Sequence, residues 1–139
     1  MKYRTYWIWI LPAMAFVLLL AGCQAEAANL RETEFKQWHI ESGGTAILQV
    51  NAENKGSTTI NGFFRVTPII DPRFSDLVSI SHSGRKEFNL DPGETTGREL
   101  YYVTVESISG EMVYKFQVEF INKDTGKVLD KSIEEIKVG

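Results

Sequence analysis

The sequence predicts an all-β protein, an antiparallel β-sandwich of about seven strands. Apolar and polar residues alternate over long stretches, turn residues recur at short and even intervals, and no convincing long amphipathic helix pattern appears. Ala46, Leu48, Val50 and Ala52 alternate with Gln49, Asn51 and Glu53, although Ile47 interrupts the polar face. Met112, Tyr114, Phe116, Val118 and Phe120 alternate more cleanly with Lys115, Gln117 and Glu119. A period of two places one face in a core and one in water, and such a sheet must stack on something.

The turns fall between these runs. Asn54-Lys55-Gly56-Ser57 follows the first; Asp71-Pro72 follows the run from Phe63 to Ile70; then come Ser83-Gly84, Asp91-Pro92-Gly93, Ser109-Gly110 and Asp124-Thr125-Gly126. Proline presets the bend and glycine accepts positive φ, so each site has a physical reason to turn. Pro68 inside an apolar run predicts a sheet edge or a bulge. In the last strand Ile133 and Ile136 break the alternation.

The 139 residues have room for a leader and one globular domain. Residues 1–22 have the order of a cleaved signal peptide: positive Lys2 and Arg4, an apolar run of 16 residues from Tyr6 to Ala21 containing Pro12, and small Ala21 and Gly22 before Cys23. A permanent bilayer-spanning helix wants about 20 residues, so this run is short for an anchor. Without Lys2 and Arg4 the chain keeps 13 Lys and Arg against 18 Asp and Glu, a net charge of −5. An acidic exterior with no basic cluster argues against a nucleic-acid partner.

Leu20-Ala21-Gly22-Cys23 resembles the lipobox of bacterial lipoproteins at all four positions. The resemblance implies that the Cys23 thiol is diacylated, palmitate being a typical chain, and that signal peptidase, recognising Leu20, Ala21 and Gly22, then cuts before Cys23. Two acyl chains hold a protein at a membrane stably where one does so only marginally. As the only cysteine, Cys23 has no internal disulfide partner. Gln24 stands where inner-membrane retention in Gram-negative cells uses aspartate. The implied address is therefore the cell membrane or, in a host with two membranes, the periplasmic face of the outer one.

Residues 23–33 read as the lipidated N-terminus and a tether, with the domain occupying residues 34–139. Ten tether residues reach at most about 35 Å. Over residues 29–39 two readings stand: a short helix capped by Asn29 with Glu32, Phe35 and Trp38, or a first strand through Trp38 and Ile40.

From Thr45 to Val138 the chain resembles the immunoglobulin-like domains of extracytoplasmic microbial proteins, in particular the cell-adhesion-related domain of bacteria and archaea. The residues that carry the likeness are Asn51-Ala-Glu-Asn-Lys-Gly56, then Leu90-Asp-Pro-Gly-Glu-Thr95, then an alternating strand into a hairpin at Asn122 to Lys127. An antibody-type core disulfide is excluded, since there is no Cys-Trp-Cys arrangement.

Candidate chemistry is sparse. His39 and His82 lie in different segments without a partner at metal-ligand spacing, and each reads as a lone surface histidine. Asp71, Asp76, Asp91 and Glu94 have the oxygen donors calcium needs only if one end of the sandwich gathers them; the favoured reading is that Asp71 and Asp91 simply start turns. No nucleophile elbow or phosphate-cradling loop is present. The expectation is a non-catalytic module with no cofactor or metal that binds or positions a protein or surface polymer, with carbohydrate binding as the alternative. Trp38 and the outward member of Tyr101 and Tyr102 are the candidate contact residues.

Overall fold

The computed structural model describes residues 25–139; Leu20, Ala21, Gly22 and Cys23 lie outside the described residues. Eleven strands form: β1 (Ala28–Leu30), β2 (Glu34–Phe35), β3 (His39–Ile40), β4 (Thr45–Val50), β5 (Ala52–Asn54), β6 (Ile60–Ile69), β7 (Val78–His82), β8 (Phe88–Leu90), β9 (Glu99–Val105), β10 (Met112–Asn122) and β11 (Val128–Val138). A 3₁₀ helix over Pro72–Leu77 joins β6 to β7, capped by Asp71. The excess over seven comes from pieces of two or three residues, too short to show a period.

The strands form a five-stranded sheet in the order β3-β11-β10-β6-β8, a four-stranded sheet in the order β2-β4-β9-β7, and a small β1-β5 pair. Pairing is antiparallel except for β3, which lies parallel to β11 at its Lys137 and Val138 end.

Alternation does what the sequence implies. Ala46, Leu48, Val50 and Ala52 are fully buried, as are Phe116, Val118 and Phe120 on the opposing sheet. Phe64 packs edge-on to Phe88 at 5.6 Å and against Phe120 at 5.1 Å, and Phe35 meets Phe116 edge-on at 5.5 Å. Ile136 pairs with inward Tyr114 while Ile133 pairs with outward Gln117, so the broken alternation puts one isoleucine on each face. β8 flanks β6 only from Ile60 to Gly62, so Pro68 falls where β6 is a sheet edge, and costs no ladder hydrogen bond on the open side.

Residues 29–39 adopt neither a helix nor one continuous strand. Three short strands are separated by turns, with Glu32 at φ 48°. Residues 25–31, expected as part of a tether over 23–33, are instead joined to the domain. Ala28 is buried, Leu30 packs on the core, and β1 pairs with β5 from Ala28 opposite Asn54 to Leu30 opposite Ala52. Ala28 and Leu30 have too little apolar surface to announce a strand, but backbone pairing requires none.

Candidate functional site

The sequence motifs from Asn51 and from Leu90 meet in space. The Asn54 side chain, fully buried, donates from Nδ2 to the carbonyls of Thr58 at 2.8 Å and Leu90 at 2.9 Å, while Oδ1 accepts from the Gly56 amide at 2.9 Å. Its backbone N–H donates to Glu94 and its carbonyl accepts from Gly93. Gly93 has φ 83°, the positive angle that its turn requires. This is a structural clamp holding two loops at one end of the sandwich.

Asp71 and Asp91, in contrast, lie far apart. Asp91 follows Leu90, which pairs with Ile60 at the start of β6, whereas Asp71 follows the other end of that ten-residue strand. Each is engaged locally: Asp91 accepts from Thr59 Oγ1 at 2.8 Å, and Asp71 caps the 3₁₀ helix through the Arg73 amide at 3.0 Å. The Arg73 side-chain hydrogen bond holds the Asp71 carboxyl below its ordinary value. Among the described residues no three His, Cys, Asp or Glu side chains gather as metal ligands.

His82 is not a lone surface residue. Its Nε2 lies 3.0 Å from Glu99 Oε2, both side chains are mostly covered, and the ring stacks on Tyr101 at 4.2 Å with planes 8° apart. β7 and β9 bring this about by pairing His82 with Tyr101. Gly84 leaves the room: a Cβ there would lie 2.8 Å from His82 Nε2 and collide with Glu99. Tyr101 faces inward, and burial first, then the Glu99 charge, pushes its phenol up to about 12. Among the described residues the His82 ring has Glu99 as its side-chain hydrogen-bond partner and Tyr101 as its stacking partner. The other histidine, His39, places Nε2 2.7 Å from the Gly139 carbonyl.

Trp38 and Tyr102 do not come together. Tyr102 points outward from the four-stranded sheet, opposite Ile47. Trp38, 77% exposed, sits just before β3 on the edge of the five-stranded sheet. There the outer face has ordered cross-strand rows: Val113 beside Lys137 and His39, Ile69 beside Lys115 and Glu135, then Thr67, Gln117 and Ile133. Val113, Ile133 and Ile69 are each about half exposed. An open groove of about 210 Å³ runs between Trp38, Val113, Glu135, Ile136 and Lys137. Ion pairs of 3.6 Å, Lys115 with Glu135 and Lys137 with Glu111, interleave with the apolar chains. The Lys137 ammonium lies 6.0 Å from the Trp38 ring centre.

This surface is aromatic and aliphatic and is crossed by opposite charges. Sequence reasoning found Trp38 and missed Val113, Ile69 and Ile133. The signal was present, since Val113 is an apolar residue at an outward position of the β10 run, and Ile133 breaks its strand's period.

Toward the other end of the same face a charged row of Arg65, Glu119 and Lys131 precedes an apolar one of Phe63, Ile121 and Val128. Arg65 Nε donates to Glu119 Oε1 at 2.9 Å, and that hydrogen bond holds the Glu119 carboxyl below its ordinary value.

Two stacked, mainly antiparallel sheets without a core disulfide define an immunoglobulin-like β-sandwich. No protein-family model matches the chain, and no curated protein sequence does. Among solved structures it is similar to a FixG-related protein from Vibrio parahaemolyticus, at 12% identity and TM-score 0.52, over 81% of this chain and 95% of that one. It is also similar to Escherichia coli alpha-2-macroglobulin spanning domain MG7 to the C-terminus, at 18% identity and TM-score 0.56, over 83% of this chain but 17% of that one. A family 123 glycoside hydrolase from Clostridium perfringens aligns at 10% identity and TM-score 0.53, over 83% of this chain and 27% of the enzyme. The likeness is of fold, which hosts many functions.

Proposed function

We propose that this protein is a membrane-anchored cell-envelope lipoprotein whose sandwich is a non-catalytic module that binds or positions another protein or a surface polymer. The observation that carries this reading is Leu20-Ala21-Gly22-Cys23 at the end of a 16-residue apolar run, two residues before the first described residue, Ala25. In this reading residues 1–22 are the cleaved signal peptide, Cys23 carries the lipid, and the address is the cell membrane or the periplasmic face of an outer membrane. The likeness to cell-adhesion-related domains belongs to the same proposal. No helix among the described residues is long and apolar enough to cross a membrane; in this reading two acyl chains on Cys23 suffice as the anchor.

The Trp38 face is the contact surface. It supports a protein partner better than a sugar, because ring stacking on a saccharide chain favours exposed aromatics side by side, and Trp38 and Tyr102 belong to opposite sheets. The test is crosslinking in living cells from a photoreactive residue at position 113, comparing the parent with Trp38→Ala and with Cys23→Ser. A discrete protein adduct lost in both variants is the expected result. Equal adducts in all three, or a measured turnover of some substrate by the domain, would overturn the proposal.

A further inference from the structure

We infer that the domain stands on the bilayer through one defined end, formed by the turn at 54–59, the corner at 91–94 and the hairpin at 122–127. This leaves the Trp38 surface at the far end, directed away from the lipid. The inference rests on lipidation of Cys23 and adds an orientation that lipidation alone does not give.

The chain is committed to that end almost as soon as the described residues begin. The Ala25 carbonyl accepts from the amides of Ser57 at 3.0 Å and Thr58 at 3.2 Å, and from Thr58 Oγ1 at 2.9 Å. Ala27 accepts from the amides of Lys55 at 2.8 Å and Gly56 at 3.0 Å. Gly56 permits this approach, since a Cβ there would stand 2.9 Å from the Ala27 nitrogen. Glu26 Oε1 accepts from Asn122 Nδ2 at 2.6 Å and from Thr125 Oγ1 at 3.4 Å, which fastens the same segment to the hairpin.

Cys23 is two residues from Ala25, a span of at most about 7 Å. An acyl chain on Cys23 therefore holds these turns at the headgroups, without slack for the domain to roll onto its other end. Strand β11 leads from the hairpin to Lys137, which faces His39. At about 3.4 Å per residue, its 11 residues put Trp38 some 30 Å from the anchored end.

The polarity of the two ends agrees. The near turns expose Lys55, Asp91, Glu94, Lys123, Asp124 and Lys127, and the large apolar chains beside the hairpin are Val128, 37% exposed, and the half-buried Phe63. Trp38, Ile69, Ile108 and Val113, all about half exposed or more, lie toward the far end. Polar turns of mixed charge suit a headgroup layer and do not wedge into hydrocarbon. The partner at the near end is thus a phospholipid headgroup surface.

The test uses the full lipidated protein in phosphatidylcholine–phosphatidylglycerol vesicles. A fluorophore is placed through cysteine at Ser57→Cys, Thr125→Cys or Ser109→Cys, the Cys23 sulfur being occupied as a thioether. Quenching by a headgroup-bound nitroxide should be several-fold stronger at positions 57 and 125 than at 109. Insertion of a ten-residue Gly-Ser segment between Gln24 and Ala25 should erase the difference. Mass measurement of Cys23 and vesicle flotation accompany each sample. Acylated, floating protein quenched equally at all three positions, or most at 109, overturns the orientation alone. Protein that is neither acylated nor floating overturns the anchor and the orientation with it.

Discussion

The Asn54 side-chain amide donates to the Leu90 carbonyl at 2.9 Å, joining the end of β5 to the end of β8 across 36 residues of chain. The same amide holds Thr58, and the side-chain oxygen holds Gly56. Truncation leaves the buried Leu90 carbonyl and the partly buried Thr58 carbonyl without their donor, which costs about 1–3 kcal/mol per unsatisfied buried group. Asn54→Ala should lower the stability of residues 25–139 by about 3 kcal/mol. Urea unfolding should show a lower midpoint at unchanged slope. Asn54→Asp should do no better, since a carboxylate there faces two carbonyls.

Gly62 lies between Phe88 on β8 and Asn122 on β10, beneath the Phe120 ring. A Cβ at Gly62 would collide with the ring edge, with Cε2 at 2.7 Å. Gly62→Ala should cost about 1–3 kcal/mol by overpacking. Adding Phe120→Leu should recover part of that loss, and a double-mutant cycle measures the coupling. Strict additivity would place the strain elsewhere.

The Arg65 hydrogen bond depresses the Glu119 carboxyl, with lesser help from the Arg65 charge, Gln117 and Lys131. A carboxylate held low binds fewer protons in the folded state than in the unfolded one. Its contribution is present above the ordinary value of about 4.3 and is lost as pH falls through the lower folded value. Arg65→Gln should therefore be less stable than the parent near neutral pH, and the two should converge in strong acid. Chemical denaturation across the acid range checks this.

Tyr101 has the opposite sign. Its phenol ionises in the unfolded chain near about 10 and in the folded one only at about 12. Between these values the folded state holds the extra proton, so stability falls as pH rises. Tyr101→Phe should lose less stability over that window. Ultraviolet absorbance of tyrosinate should show one late-titrating tyrosine missing from the variant.

The fold was legible because period two is written into β4 and β10: Leu48, Val50, Phe116 and Phe120 are inward as their spacing requires. The turn chemistry of Asn54, Asp91 and Gly126 was legible for the same local reason. Ala28 and Leu30 were not, because a three-residue strand joined through its backbone leaves almost no side-chain signature. Nor was the His82–Glu99 pair, which depends on the register of β7 against β9. The proposed contact surface was half legible: Trp38 stood out by type, but only the lateral order of β3, β11, β10 and β6 places Val113, Ile133 and Ile69 on its side of the molecule and Tyr102 on the other.

Both the proposed function and the proposed orientation depend on the lipid at Cys23, and the mass of the protein extracted from host membranes decides whether it is there. The expected species is a mature chain that begins at Cys23 and carries a diacylglyceryl group on its sulfur. A free Cys23 thiol in a chain that retains residues 1–22, or a cut at another position, would contradict it.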